Sequence, residues 1–301
     1  MRKRLVADSD WNAEMAVRGY LDGFYPQALT AADRAVKLTR RILRRDGDER
    51  VVVVLIERLR WRAQISQVLG RHKQAVDDAR AVLELLARLG KPPRLVAEAT
   101  QLLLAESSAV LGDVATARVA DRAIEAFRRR ADEADAEPLA IGEAFDRYAR
   151  TLALIGEIEA AQPVRRFSVD AYRSALDRIV DRRERIRFAT AVEQLADDAG
   201  PPNAAGAPDI LSLLQDAAEQ RLHLIPPIGT AFQDPVAREQ AVALLGVLAL
   251  QSQWLDALGA PQAAAEFARS AEQLLQVPAV WWRDRLRELR DRLEQTIAHP
   301  A

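Results

Sequence analysis

Three histidines, two acidic clusters and a set of arginine runs are the residues of this chain with the chemistry to catalyse a reaction or bind a ligand. His72, His223 and His299 lie in separate segments, and none has a second ligating side chain at metal-site spacing. The chain has no cysteine, which excludes disulfides, thiolate metal sites and a cysteine nucleophile. The acidic clusters are Asp46-Gly-Asp48-Glu49 and Asp132-Glu133-Ala-Asp135-Ala-Glu137. Neither matches a calcium loop. The first reads instead as an N-cap and first-turn negative charge for a helix over 48–69. No phosphate-cradling Gly-x-x-x-x-Gly-Lys, dinucleotide Gly-x-Gly-x-x-Gly, Gly-x-Ser-x-Gly or His-Glu-x-x-His is present. These absences point to a non-enzymatic chain with no catalytic residues, no cofactor and no metal.

The arginine runs are Arg40-Arg41 with Arg44-Arg45, Arg128-Arg129-Arg130, Arg165-Arg166, and Arg182-Arg183 with Arg185 and Arg187. Eight arginines face four carboxylates between 165 and 187. They read as solvated helix faces laced with (i, i+4) ion pairs. Nucleic-acid binding asks for a basic domain with interleaved aromatics. Net charge is −1 and aromatics make up 5%, so no nucleic-acid partner is expected.

The elements that position these residues are helices. Hydrophobic residues at 49% suffice for a core, and few of them are aromatic, so packing rests on Ala, Leu and Val. Ala75, Ala79, Val82, Leu86 and Leu89 follow helical spacing, as do Ala264, Phe267, Ala271 and Leu274. No segment alternates with period two. Helices are predicted over 9–22, 26–45, 48–69, 71–89, 94–111, 113–132, 138–155, 158–181, 183–198, 208–224, 235–257, 260–276 and 278–298. Pro163 either sits inside the helix over 158–181 or marks its start. Met1-Arg-Lys-Arg begins like a signal peptide, but no apolar run follows. The longest apolar stretch, 241–250, is too short to span a bilayer. A cytoplasmic protein without a membrane partner is expected.

A repeat organises these helices. Leu69-Gly70…Ala75, Leu111-Gly112…Ala117, Ile155-Gly156…Ala161 and Leu258-Gly259…Ala264 share one signature, and Gly23…Ala28 is a degenerate copy. The glycines are 47, 42, 44 and 103 residues apart, the last gap being about two periods. Such a period implies stacked helix pairs. Each glycine should end one helix in a left-handed conformation. Each alanine, five residues on, should let the next helix approach closely. Ala-Gly-Pro-Pro-Asn-Ala-Ala-Gly-Ala-Pro over 199–208 divides a four-hairpin stack (1–198) from two further hairpins and a capping helix (209–301). This loop is either a hinge or a long turn within one continuous stack. The last helix carries a single stripe of Trp282, Leu286, Leu289, Leu293 and Ile297, as a terminal cap should. Its Trp281-Trp282 pair serves either cap packing or a dimer contact.

The signature resembles the tetratricopeptide repeat: leucine-glycine at the turn, a bulky residue two beyond and alanine five beyond. The copies read Gly70-Arg-His72-Lys-Gln-Ala75, Gly112-Asp-Val114-Ala-Thr-Ala117, Gly156-Glu-Ile158-Glu-Ala-Ala161 and Gly259-Ala-Pro261-Gln-Ala-Ala264. The likeness covers about residues 9 to 276, with a period longer than that family's 34 residues. It implies an all-α, right-handed α-solenoid of about six antiparallel hairpins plus a capping helix. It also implies that the first helices line a concave face that holds a protein or peptide partner. Its groove positions fall at Ala13, Val17, Tyr20, Glu57, Arg60, Gln64, Gln67, Leu102, Glu106, Glu143, Asp146, Arg150, Gln253 and Asp256, with Asn12 as a neighbour one position off the register. The lysine-asparagine clamp of some members is not evident; Arg60 and Arg150 stand nearest to its role. The expected function is a protein-binding scaffold. The alternative is a module of a bacterial signalling system that senses a ligand or signal peptide.

Overall fold

The computed structural model describes residues 2–89, 95–133, 136–179, 182–199, 207–225, 235–274 and 282–298. These residues are helical with short turns, and no strand occurs among them. The chain divides into two compact units, residues 1–168 and 169–301. The first holds α1 (Arg2–Leu21), α2 (Tyr25–Asp46), α3 (Glu49–Val68), α4 (His72–Leu86), α5 (Val96–Val110), α6 (Val114–Ala117), α7 (Val119–Ala131) and α8 (Pro138–Leu154). Helix α9 (Ile158–Arg173) runs across the division. A 3-10 turn (Leu176–Arg178) then leads to α10 (Arg182–Asp198), α11 (Ala207–His223), α12 (Pro235–Ala257), α13 (Pro261–Leu274) and α14 (Trp282–Ala298). Most of the expected 199–208 joint lies outside the described residues.

Consecutive helices pack as hairpins: α1 on α2, α3 on α4, α5 on α7, α10 on α11 and α12 on α13. Helices α8 and α9 meet through Ala149, Leu152 and Ala161. One local device builds five of these joints. At the α3–α4 turn Gly70 sits at φ +70, where a side chain would be strained. The next residue, Arg71, donates its N–H to the Ser66 carbonyl at 2.8 Å, capping α3. The Arg71 carbonyl then accepts from the Ala75 N–H at 3.1 Å, which is the first hydrogen bond of α4. The same pair of bonds recurs at Phe24 with Ala28, Asp113 with Ala117, Glu157 with Ala161 and Ala260 with Ala264. The five-residue spacing is therefore the distance between a helix-ending glycine and the first N–H satisfied within the next helix.

All five of these alanines are buried, Ala75 and Ala161 completely. Helix α5 buries an unbroken run, Leu102 to Ala105, because it packs against α3, α4, α7 and α8. Asp48 caps α3 by accepting from the Arg50 N–H at 2.9 Å, as its cluster suggested. In the second unit Trp282, Leu286, Leu289 and Leu293 of α14 are buried. That helix packs on α11 and α13.

Three details differ from the sequence reading. The segment expected as one helix over 113–132 breaks at Arg118, which turns out to pair with Glu157. Pro163 lies inside α9, which starts five residues before it, so the proline does not mark the helix start. The arginines of 165–187 are not simply a solvated face. Arg165 is buried, and Arg173 reaches Asp216 of α11 at 3.0 Å, a partner 43 residues away in sequence.

Candidate functional site

Four polar residues on α3, Glu57, Arg60, Gln64 and Gln67, recur at spacings of three and four and so form one stripe. On α8, Glu143, Asp146, Arg147 and Arg150 form a second stripe, and Glu106 stands on α5 between them. The structure brings these stripes together within the first unit. Arg147 is 6% exposed and is the hub. Its guanidinium donates to Glu106 at 2.6 Å, Gln67 at 2.8 Å and Glu143 at 3.4 Å. Glu106 also meets Arg150 at 3.0 Å, and Arg150 meets Asp146 at 3.1 Å. Three helices that are distant in sequence are thereby tied by charge-assisted hydrogen bonds.

Burial by itself would raise the Glu106 pKa; the guanidiniums of Arg150 and Arg147 outweigh it and hold the carboxyl below its ordinary range. A carboxyl with a lowered folded pKa contributes stability that is present above its unfolded pKa and is lost as pH falls through the folded one. Glu106→Gln is therefore expected to lower stability by about 2 kcal/mol at pH 7. The gap to the parent should close as pH falls below the ordinary glutamate value of 4.5. Urea unfolding of both proteins across pH 3–7 measures it, and a gap that widens in acid would refute the assignment.

Beside this network lies a cavity of about 290 Å³. Its polar edge is Arg60, Gln64, Glu137, Glu143 and Arg147. Val82, Ala99, Leu103, Phe127 and Ala144 contribute to its apolar wall. Leu95, the one non-glycine at positive φ among the described residues, stands at its margin. Arg60 is half-buried, and burial, the largest effect on it, lowers its pKa despite the attraction of Glu143 and Glu57. Among the described residues it makes no ion pair, unlike Arg147 and Arg150. It is the cation of this site that no carboxylate among the described residues pairs at salt-bridge distance.

The other expected positions are placed as follows. Glu57 is exposed at the outer end of the α3 stripe. Gln64 lines the cavity, and Gln67 binds Arg147. Asp146 is 2% exposed and acts by holding Arg150. Arg150 is not a free clamp residue, since two carboxylates already occupy it. Tyr20 is not a surface contact either. It is 7% exposed, in a cluster with Tyr25 and Trp61, each ring 5.7 Å away. An aromatic at that register is drawn into the core because α2 and α3 both close over it. Gln253 is exposed on α12 in the second unit. Sequence reasoning missed Arg147. The signal was present as charged residues at 143, 146, 147 and 150, a stripe two residues wide, of which four-position register counting keeps only one edge. No group of histidines and carboxylates suited to a metal occurs among the described residues.

No protein-family model matches this chain, and no curated protein matches it. Among solved structures, the crystal structure of BtubC (BKLC) from P. vanneervenii is similar, with a TM-score of 0.56 at 16% identity. The match covers 84% of this chain and 91% of that one. At this identity the likeness concerns the fold alone.

Proposed function

We propose that the chain is a non-enzymatic scaffold, a right-handed tetratricopeptide-like solenoid, that binds a protein or peptide along the face built by α3, α5 and α8. The supporting observation is Arg60. A half-buried guanidinium without an ion pair, beside a cavity with an apolar wall, suits a partner that brings its own acceptor and an apolar side chain. The Gln67–Glu106–Arg147–Arg150–Asp146 network keeps the surrounding surface rigid, so little ordering cost falls on binding. The cytoplasm is the proposed location. Arg60→Glu reverses the one unpaired cation among the described residues of the cavity and removes none of the hydrogen-bonding groups of the network. The expected result is loss of the partners that wild-type protein captures from native lysate, while the circular dichroism spectrum remains that of the folded parent. An identical set of captured proteins would refute this surface.

The cavity volume favours a second reading, in which a small molecule occupies the site and the chain acts as a sensing module of a signalling system. Melting-temperature screening against small anionic metabolites tests it, and stabilisation that vanishes in Arg60→Glu would favour this reading over the scaffold.

A further inference from the structure

The sequence reading assigned the arginines of α2 to a solvated face neutralised by helical ion pairs. The structure does not pair them. Lys37, Arg40, Arg41 and Arg44 recur at helical spacing along α2, all four exposed. None makes an ion pair among the described residues. Arg71 and Lys73, at the start of α4, are likewise exposed and unpaired. Two clefts of about 460 and 660 Å³ gather these six cations, and both clefts include Arg40 and Arg62. Arg62 is already neutralised: it is held by Asp78 at 2.6 Å and Asp33 at 2.9 Å. Among the described residues, Asp77 is the other carboxylate lining either cleft. Seven cations and three carboxylates line the two clefts among the described residues, so a chain of net charge −1 gathers a local excess of four positive charges in two clefts that share Arg40 and Arg62. Such a concentration of one sign produces an attractive field for an anionic partner.

We propose that these two clefts, one along α2 and one at the α3–α4 turn, form a second docking surface, and that its occupant is an acidic protein segment with an apolar residue at one end. Lys37 to Arg44 spans about 10 Å along the helix axis, which matches three to four residues of extended chain with alternate side chains turned to the cations. Leu111 is 53% exposed and lines the cleft beside Arg71 and Lys73, so it offers the apolar end a seat. Other polyanions fit less well. No Phe, Tyr or Trp lines either cleft, so bases have no stacking platform. A bilayer would want several apolar side chains to insert, and the clefts offer Leu111 as the exposed one. The cations tested below lie on α2, and none of them belongs to the Arg60 cavity or its ion-pair network, so this proposal stands independently of that reading.

The test uses the full chain and a fluorescent peptide of ten alternating Glu and Asp residues followed by Leu, titrated by anisotropy at low salt. Saturable binding is expected, weakening steeply as salt rises. Lys37→Gln/Arg40→Gln/Arg41→Gln/Arg44→Gln should weaken it at least tenfold, and the corresponding four-Glu variant should abolish it. Leu111→Ser should weaken it a few-fold. All these side chains are exposed, so the circular dichroism of each variant should match the parent, and the four-Gln variant, which adds no negative charge beside Asp78 or at the α2 C-terminus, should keep its melting curve. Arg60→Glu should leave this binding unchanged, which separates failure here from failure of the α3–α5–α8 surface. Equal peptide affinity in wild type and the four-Gln variant overturns the proposal. So does tighter binding to phosphatidylserine vesicles or to a single-stranded oligonucleotide of equal charge.

Discussion

Arg147→Met is expected to destabilise the protein by about 4 kcal/mol, the largest effect of any single substitution considered. The side chain fills similar volume, so the loss is electrostatic. Glu106 is 12% exposed at its side chain and would keep only Arg150 as a cation. Gln67 would lose its donor, and Glu143 its i+4 partner. Removing one member of a buried ion pair costs about 3–5 kcal/mol because the other charge stays desolvated. The double variant Arg147→Met/Glu106→Met separates this from a packing defect. It removes the stranded charge, and its stability should recover by more than half. Urea unfolding of the three proteins at pH 7 measures both quantities. A double variant no more stable than Arg147→Met alone would show that the pair does not carry the effect.

Ala28→Leu is expected to cost about 3 kcal/mol, near the upper end for overpacking. Helices α1 and α2 touch at this alanine: a Cβ built on Gly19 would lie 3.3 Å from the Ala28 Cβ. The contact thus leaves no room for a side chain on the α1 side, and a methyl on the α2 side fills it. An isobutyl group at Ala28 would meet the α1 backbone, which cannot yield as a flexible side chain can. The neighbouring exposed position provides the control, with Thr30→Leu expected within about 0.5 kcal/mol of the parent. Equal melting temperatures for the two variants would mean that the hairpin does not depend on alanine at its joint.

The joints were legible in the sequence because their cause is local. A glycine at positive φ, a donor one residue later and an alanine five residues on all act within a single turn, so spacing alone identifies them. The apolar stripes were legible for a related reason: helical period fixes which residues share a face. Helix ends were less so. The break at Arg118 and the stop at Arg173 coincide with long-range pairs to Glu157 and Asp216 that no local pattern announces.

The site shows the same division. The register on each helix placed Gln64, Gln67, Glu106, Asp146 and Arg150 on the polar face of their own helices. It could not say which would be neutralised. Arg60 and Arg150 read alike in sequence, yet two carboxylates hold Arg150 and no ion pair holds Arg60. Tyr20 matched a groove position and lies in the core. The arginines of α2 and those of 165–187 gave the same expectation, and the first set is exposed without ion pairs among the described residues while Arg165 and Arg173 are drawn inward. The sequence alone determined the helices, their hairpin joints and the small residues that let them nest, because backbone hydrogen bonding and side-chain size act over a few residues. Only the tertiary structure decided which charges meet, since that depends on which helices lie side by side, and at a few ångströms an opposite charge either satisfies a guanidinium or leaves it open to a partner.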